Sequence, residues 1–183
     1  MSDQDTTNPD KDGARMVTGL FRDRASAERA YDCLADRGYA RDDVTLMMSD
    51  ETRRTHFAGA ETEPGSKTME GAGIGAGIGG AIGAVLAGLA AVGSSLVLPG
   101  IGLVVAGPVA AALAGAGAGG LAGTVVGALI GAGIPEERVA HYEEGIKGGA
   151  ILMGVTARSA EDAAHIARSW VDHGGAHVSG LPK

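Results

Sequence analysis

The chain has 183 residues, a net charge of −7 and only 3% aromatic residues. That length suits one or two domains with a buried core. The scarcity of aromatics argues against a large aromatic-lined pocket, and the acidic balance argues against nucleic acid as a partner, since phosphate binding needs a basic patch. The single cysteine, Cys33, excludes an intrachain disulfide and a multi-cysteine metal site, and it fits a reducing cytosol.

Residues 1–14 are polar and acidic, with Asp3, Asp5, Asp10 and Asp12 against Lys11. They lack both the basic start and the apolar run of a leader, and they are expected to form a disordered tail.

Residues 15–49 read as strand–helix–strand. Met16-Val-Thr-Gly-Leu-Phe21 is an apolar run with β-branched and aromatic members. Asp23 suits a helix N-cap, because its carboxylate can accept from free amides of the first turn. Ala27, Ala30, Tyr31 and Leu34 then fall on one helix face. Gly38 stands where a left-handed terminating residue is needed. Val44 to Met48 predicts the second strand. Cys33 lies near the apolar face and reads as a packed thiol, with nothing basic beside it to favour a thiolate.

Residues 50–70 mix Arg53, Arg54 and Lys67 with Asp50, Glu51, Glu61 and Glu63, and no periodicity lasts. This predicts a solvated linker, flexible or partly helical.

Residues 71–134 carry no charge and hold most of the 32 glycines. Gly71, Gly75, Gly79 and Gly83 recur at every fourth position. A second row runs through Gly107, Ala111, Gly115, Gly119, Gly123, Gly127 and Gly131. That spacing lines small residues along one helix face, so these glycines are the candidate helix-packing residues of a glycine-zipper hairpin. The arms, 71–92 and 106–133, would be roughly 33 and 40 Å long as helices, enough to cross a hydrocarbon core of about 30 Å. Ser94, Ser95, Pro99, Gly100 and Pro108 predict a turn between them, with room for a short apolar strand or helix over 96–98 and 101–105. Glycine costs about 1 kcal/mol relative to alanine inside a helix in water, so such rows are useful where backbones must approach closely. Membrane insertion and soluble self-assembly both meet that demand. The run Gly75-Ala-Gly77-Ile-Gly79-Gly80 satisfies G-x-G-x-x-G, but no strand precedes it and no acidic residue follows before Glu136. It is expected to be a chance match and not a dinucleotide site.

Residues 135–183 predict a helix plus a second strand–helix–strand unit. Pro135-Glu-Glu137 suits a helix start. Ala150 to Val155 predicts a strand, and Ser159-Ala-Glu-Asp162 a capping box. Ala163, Ile166, Ala167 and Trp170 mark the next apolar helix face, Gly174 and Gly175 its end, and Ala176-His-Val-Ser179 a final strand. The spacing from Asp23 to Gly38 equals that from Ser159 to Gly174, and an arginine precedes each cap. Two such halves predict an α+β fold: a ferredoxin-like, four-stranded antiparallel sheet with helices on one face, interrupted by the glycine- and alanine-rich helical hairpin. His165, His173 and His177 lie close in sequence without a third well-spaced ligand, and read as surface residues. No catalytic constellation, cofactor or metal site is legible.

Several of these stretches together resemble the bacterial general-stress or heat-induced stress protein domain. They are Val17-Thr-Gly-Leu-Phe21, Ala25-Ser-Ala-Glu-Arg-Ala30, Arg37-Gly-Tyr39, Asp43-Val-Thr-Leu46, Leu98-Pro-Gly-Ile-Gly102, Ala106-Gly-Pro-Val-Ala110, Gly133-Ile-Pro-Glu-Glu137, Tyr142-Glu-Glu-Gly145 and Gly148-Gly-Ala-Ile-Leu152. The resemblance covers nearly everything from Met16 onward and implies a link to stress responses, with no catalytic residue to carry over. The expectation is a non-enzymatic structural or interaction protein, forming a homo-oligomer, with a cytoplasmic domain and a hairpin that contacts the lipid of the inner membrane. The alternative is a wholly cytoplasmic, oligomeric binding or regulatory module of the same fold.

Overall fold

A computed structural model describes residues 15–57, 95–98, 102–115, 125–131 and 134–180. The first half runs as β1 (Arg15–Phe21), α1 (Arg24–Asp36), a 3₁₀ turn (Arg41–Asp43) and β2 (Val44–Ser49), followed by α2 (Asp50–Phe57). Asp23 caps α1 by accepting from the Ser26 amide at 2.8 Å. At the other end Gly38 adopts φ +76°, which lets the Tyr39 amide reach Leu34 O at 3.0 Å.

The last part runs as α5 (Glu136–Lys147), β5 (Ile151–Ala157) and α6 (Ala160–Asp172). Here α6 repeats α1. Ser159 accepts from the Asp162 amide at 3.1 Å, Gly174 adopts φ +88°, and the Gly175 amide reaches Trp170 O at 2.8 Å.

Between the halves lie β3 (Ser95–Leu98), β4 (Leu103–Ala106), α3 (Pro108–Gly115) and α4 (Val125–Gly131). The strands form one antiparallel sheet in the order β1-β5-β2-β4-β3. The fold is therefore α+β, and its two halves interleave, with β5 between β1 and β2.

Three expectations change. Within the turn foreseen at 93–108, the strand and not the helix forms, and the β3–β4 pair is no isolated connector: it joins the main sheet through pairs from Leu46↔Ala106 to Ser49↔Leu103. Leu103-Val-Val-Ala106 is buried on both faces, so an uncharged run fits there as a strand.

Second, helices cover both faces of the sheet and not one. Alternate strand residues divide between two cores. Val17, Phe21, Leu46, Met48, Met153 and Val155 meet α1 and α6 through Leu34, Ile166 and Trp170. Leu20, Met47, Val105 and Leu152 meet α3, α4 and α5 through Val109, Leu129, Tyr142 and Ile146. The helix preceding β5 and the two short helices of the insertion supply this second layer.

Third, the final strand contracts to a single bridge, Leu20↔Ala176. His177 adopts φ +51°, which turns the backbone out of the extended region after one pair.

Candidate functional site

Among the described residues, the second small-residue row divides between a turn and two short helices. Gly71, Gly75, Gly79, Gly83, Gly119 and Gly123 lie outside the described residues, as does the whole first arm of the expected hairpin. Gly107 is not helical: it turns the chain from β4 into α3 with φ +85°, and its carbonyl accepts from the Ala110 amide at 3.0 Å. Gly115 and Gly131 are the last residues of α3 and α4, and Gly127 lies within α4. Helices α3 and α4 touch each other, α3 lies on β2, β3 and β4, and α4 also meets α5. Among the described residues, no helix is long and apolar enough to cross a membrane.

A polar junction ties the two halves together on the α1/α6 side. Asp162, in the first turn of α6, accepts from Arg37 Nε at 2.7 Å and from the Tyr39 hydroxyl. The Tyr39 oxygen in turn accepts from the Arg158 amide at 3.1 Å. The Arg158 guanidinium lies 4.2 Å from the centre of the Tyr39 ring and donates to Gly38 O at 2.6 Å. Burial works to raise the Asp162 pKa, but the hydrogen bonds from Tyr39 and Arg37 and the Arg37 charge outweigh it and hold the carboxyl below its ordinary value. Burial, then the Asp162 hydrogen bond, push the Tyr39 phenol up. These charges satisfy one another, which makes the junction a fastening.

A different arrangement lies at the far end of α5. A cleft of about 480 Å³ opens between the end of this helix, the end of β1 and the segment after α6. Its floor is apolar, from Leu20, Ala150 and Ala176, and its polar lining is Arg22, His141, Glu144 and His177. Gly145 lets the helix sit on Leu20: a Cβ there would lie 2.6 Å from Leu20 Cδ1.

The imidazoles of His141 and His177 stack with centroids 4.7 Å apart and planes 26° from parallel. His177 holds a left-handed backbone conformation rare for a residue with a Cβ. Its neighbours impose it. Tyr142 Oη donates to His177 O at 2.9 Å and is bound to Thr18 Oγ1 at 2.8 Å. Leu20 and Ala176 exchange amide bonds of 2.9 and 2.8 Å just before it.

The other histidines do not join this pair. His165 faces the open groove beside the junction, and His173 is the C-cap of α6, with Nδ1 2.7 Å from Ser169 O. Cys33 is partly exposed and accepts from Ser169 Oγ at 3.0 Å. Among the described residues, no three His, Cys, Asp or Glu side chains are grouped to hold a metal ion.

The sequence offered no route to the cleft, since Arg22, His141, Glu144 and His177 are brought together only by the return of the chain along β1. No family model, no curated protein and no solved structure matches the chain.

Proposed function

We infer that this chain is a non-enzymatic interaction protein in which a ferredoxin-like body anchors glycine-rich segments for self-assembly. The strand order from the 176 bridge through β1, β5 and β2 is that of a split βαβ fold, and it supports this description of the body. The observation that carries the functional reading is the β2–β4 pairing. It fastens the middle of the uncharged stretch to the sheet, so the stretches on either side of it begin and end at described elements of the body. A crossing hairpin would need that middle on the far side of a bilayer. Small residues at four-residue spacing in the sequence instead favour close packing of protein against protein, with a second copy as the partner. The protein acts in the cytoplasm on this reading. Its association with stress rests on the resemblance noted above.

Mass measurement of the detergent-free full chain tests the reading. A defined homo-oligomer is expected, and Gly79→Leu or Gly123→Leu is expected to dissociate it. A monomer at all concentrations overturns self-assembly. Retention of the wild-type chain in carbonate-washed membranes would instead support the membrane version.

A further inference from the structure

The cleft at the end of α5 carries two opposite charges that no other described group satisfies. Arg22 and Glu144 both line it, yet neither side chain forms an ion pair or a hydrogen bond with the other or with any other described residue. Their neighbours in sequence are paired: Lys147 with Glu143 at 2.7 Å, and Arg24 with Glu28 at 2.5 Å. The cleft also has an apolar floor, an imposed left-handed residue and a volume within the range of about 300–1,000 Å³ common to small-molecule sites.

The geometry points to this cleft as a binding site for a small zwitterion of amino-acid size with an apolar side chain. Arg22 takes the anionic group and Glu144 the ammonium. The C-terminal end of α5, which reaches the cleft at Gly145 and Gly148, adds the negative end of its dipole to the Glu144 side. Leu20, Ala150 and Ala176 receive the apolar side chain. The stacked imidazoles of His141 and His177 form an aromatic wall whose ring nitrogens can donate to or accept from the ligand. Holding His177 at φ +51° keeps its ring against His141 and so fixes that wall. The site is independent of the glycine-rich segments, and it stands or falls separately from the assembly reading.

Saturation-transfer NMR on the full chain, which tolerates a large assembly, tests it with L-leucine and two half-charged analogues, isocaproate and isoamylamine. L-Leucine is expected to bind saturably at millimolar concentration or below. Each analogue is expected to bind at least about tenfold more weakly, the loss of one charge-assisted contact. Arg22→Gln and Glu144→Gln are each expected to weaken L-leucine by a similar factor. Both positions are exposed, so unchanged circular dichroism confirms that the fold is kept, and Arg168→Gln on α6 leaves binding intact. Absence of saturable L-leucine binding overturns the proposal, as does equal binding to wild type and both cleft variants, or equal binding of the three probes.

Discussion

The hydroxyl of Tyr39 donates to Oδ2 of Asp162, joining residues 123 positions apart in the chain. Tyr39 follows the glycine that ends α1, and Asp162 lies in the first turn of α6, so the bond locks the end of one strand–helix unit onto the start of the other. Removing the hydroxyl leaves both the buried Asp162 oxygen and the Arg158 amide without this partner. Tyr39→Phe is expected to cost about 1–3 kcal/mol in chemical denaturation. In a double-mutant cycle with Asp162→Asn the two losses are expected to be non-additive, since the groups share one network. Additive losses would mean that the bond contributes nothing beyond packing.

The same pair sets a pH window. Asp162 is held below its ordinary value of 3.8 despite burial, by Tyr39 and Arg37. Asp23 is also lowered, chiefly by the Ser26 amide it caps. For both, the unfolded chain binds the proton more tightly, so their stabilisation is complete above the unfolded value and is lost as pH falls through the folded one. The Tyr39 phenol is raised above 10.0, first by burial and then by Asp162, so stability falls as pH rises past the unfolded phenol value. Melting temperature is expected to be flat with respect to these groups from about pH 4 to about pH 10 and to fall on either side. Asp162→Asn should shallow the acid limb. Parallel acid limbs in variant and wild type would remove Asp162 from this account.

Asp32 has the opposite sign. Burial, then the charges of Asp36 and Glu28, raise its pKa. Both neighbours stand four residues away on α1, where like charges repel. Asp32→Asn is expected to stabilise the protein at neutral pH by about 0.5 kcal/mol, the sum of two such pairs. The gain should vanish in acid, where Asp32 is protonated in any case. A gain that persists there would point to helix propensity and not charge as its source.

Legibility in the sequence followed the range of the forces involved. The caps at Asp23 and Ser159, the terminating glycines Gly38 and Gly174 and the apolar helix faces are local, and all occupy the places that spacing gave them. The internal repeat was legible because both units obey the same local rules. The role of Leu103-Val-Val-Ala106 was not, since an uncharged run is equally compatible with a helix, and only pairing with Leu46-Met-Met-Ser49 makes it a strand. The loss of the last strand depends on the backbone of His177, a conformation that histidine itself does not announce. The cleft depends on three segments meeting, and no spacing along the chain encodes it.

Gly107 tests how firmly the insertion is fastened. Its φ of +85° disfavours any residue with a Cβ, and a Cβ there would lie 2.1 Å from the Val44 carbonyl oxygen. That oxygen belongs to the backbone and cannot swing aside. Gly107→Ala is expected to cost more than about 2 kcal/mol, combining left-handed strain with displacement of β4 from β2. Hydrogen exchange should quicken in β4 while α1 and β1 stay protected. Uniform loss of protection would mean that the insertion and the body unfold as one unit.

Leu129 separates packing on the body from packing in lipid. It belongs to the second arm of the expected hairpin, yet it is 0% exposed and joins Leu20, Tyr142 and Ile146 in the core beneath α5. Leu129→Ala removes buried methyl groups from a close-packed core, and a loss of about 2–5 kcal/mol is expected in detergent-free unfolding. Ile130, next along α4, is 37% exposed and serves as the control. Truncating it should cost far less, because little of its surface leaves water on folding. If the arm's apolar residues instead faced lipid, the two substitutions would have similar effects in buffer. A large difference between neighbouring positions requires that one side of α4 is packed into the core it shares with α3 and α5.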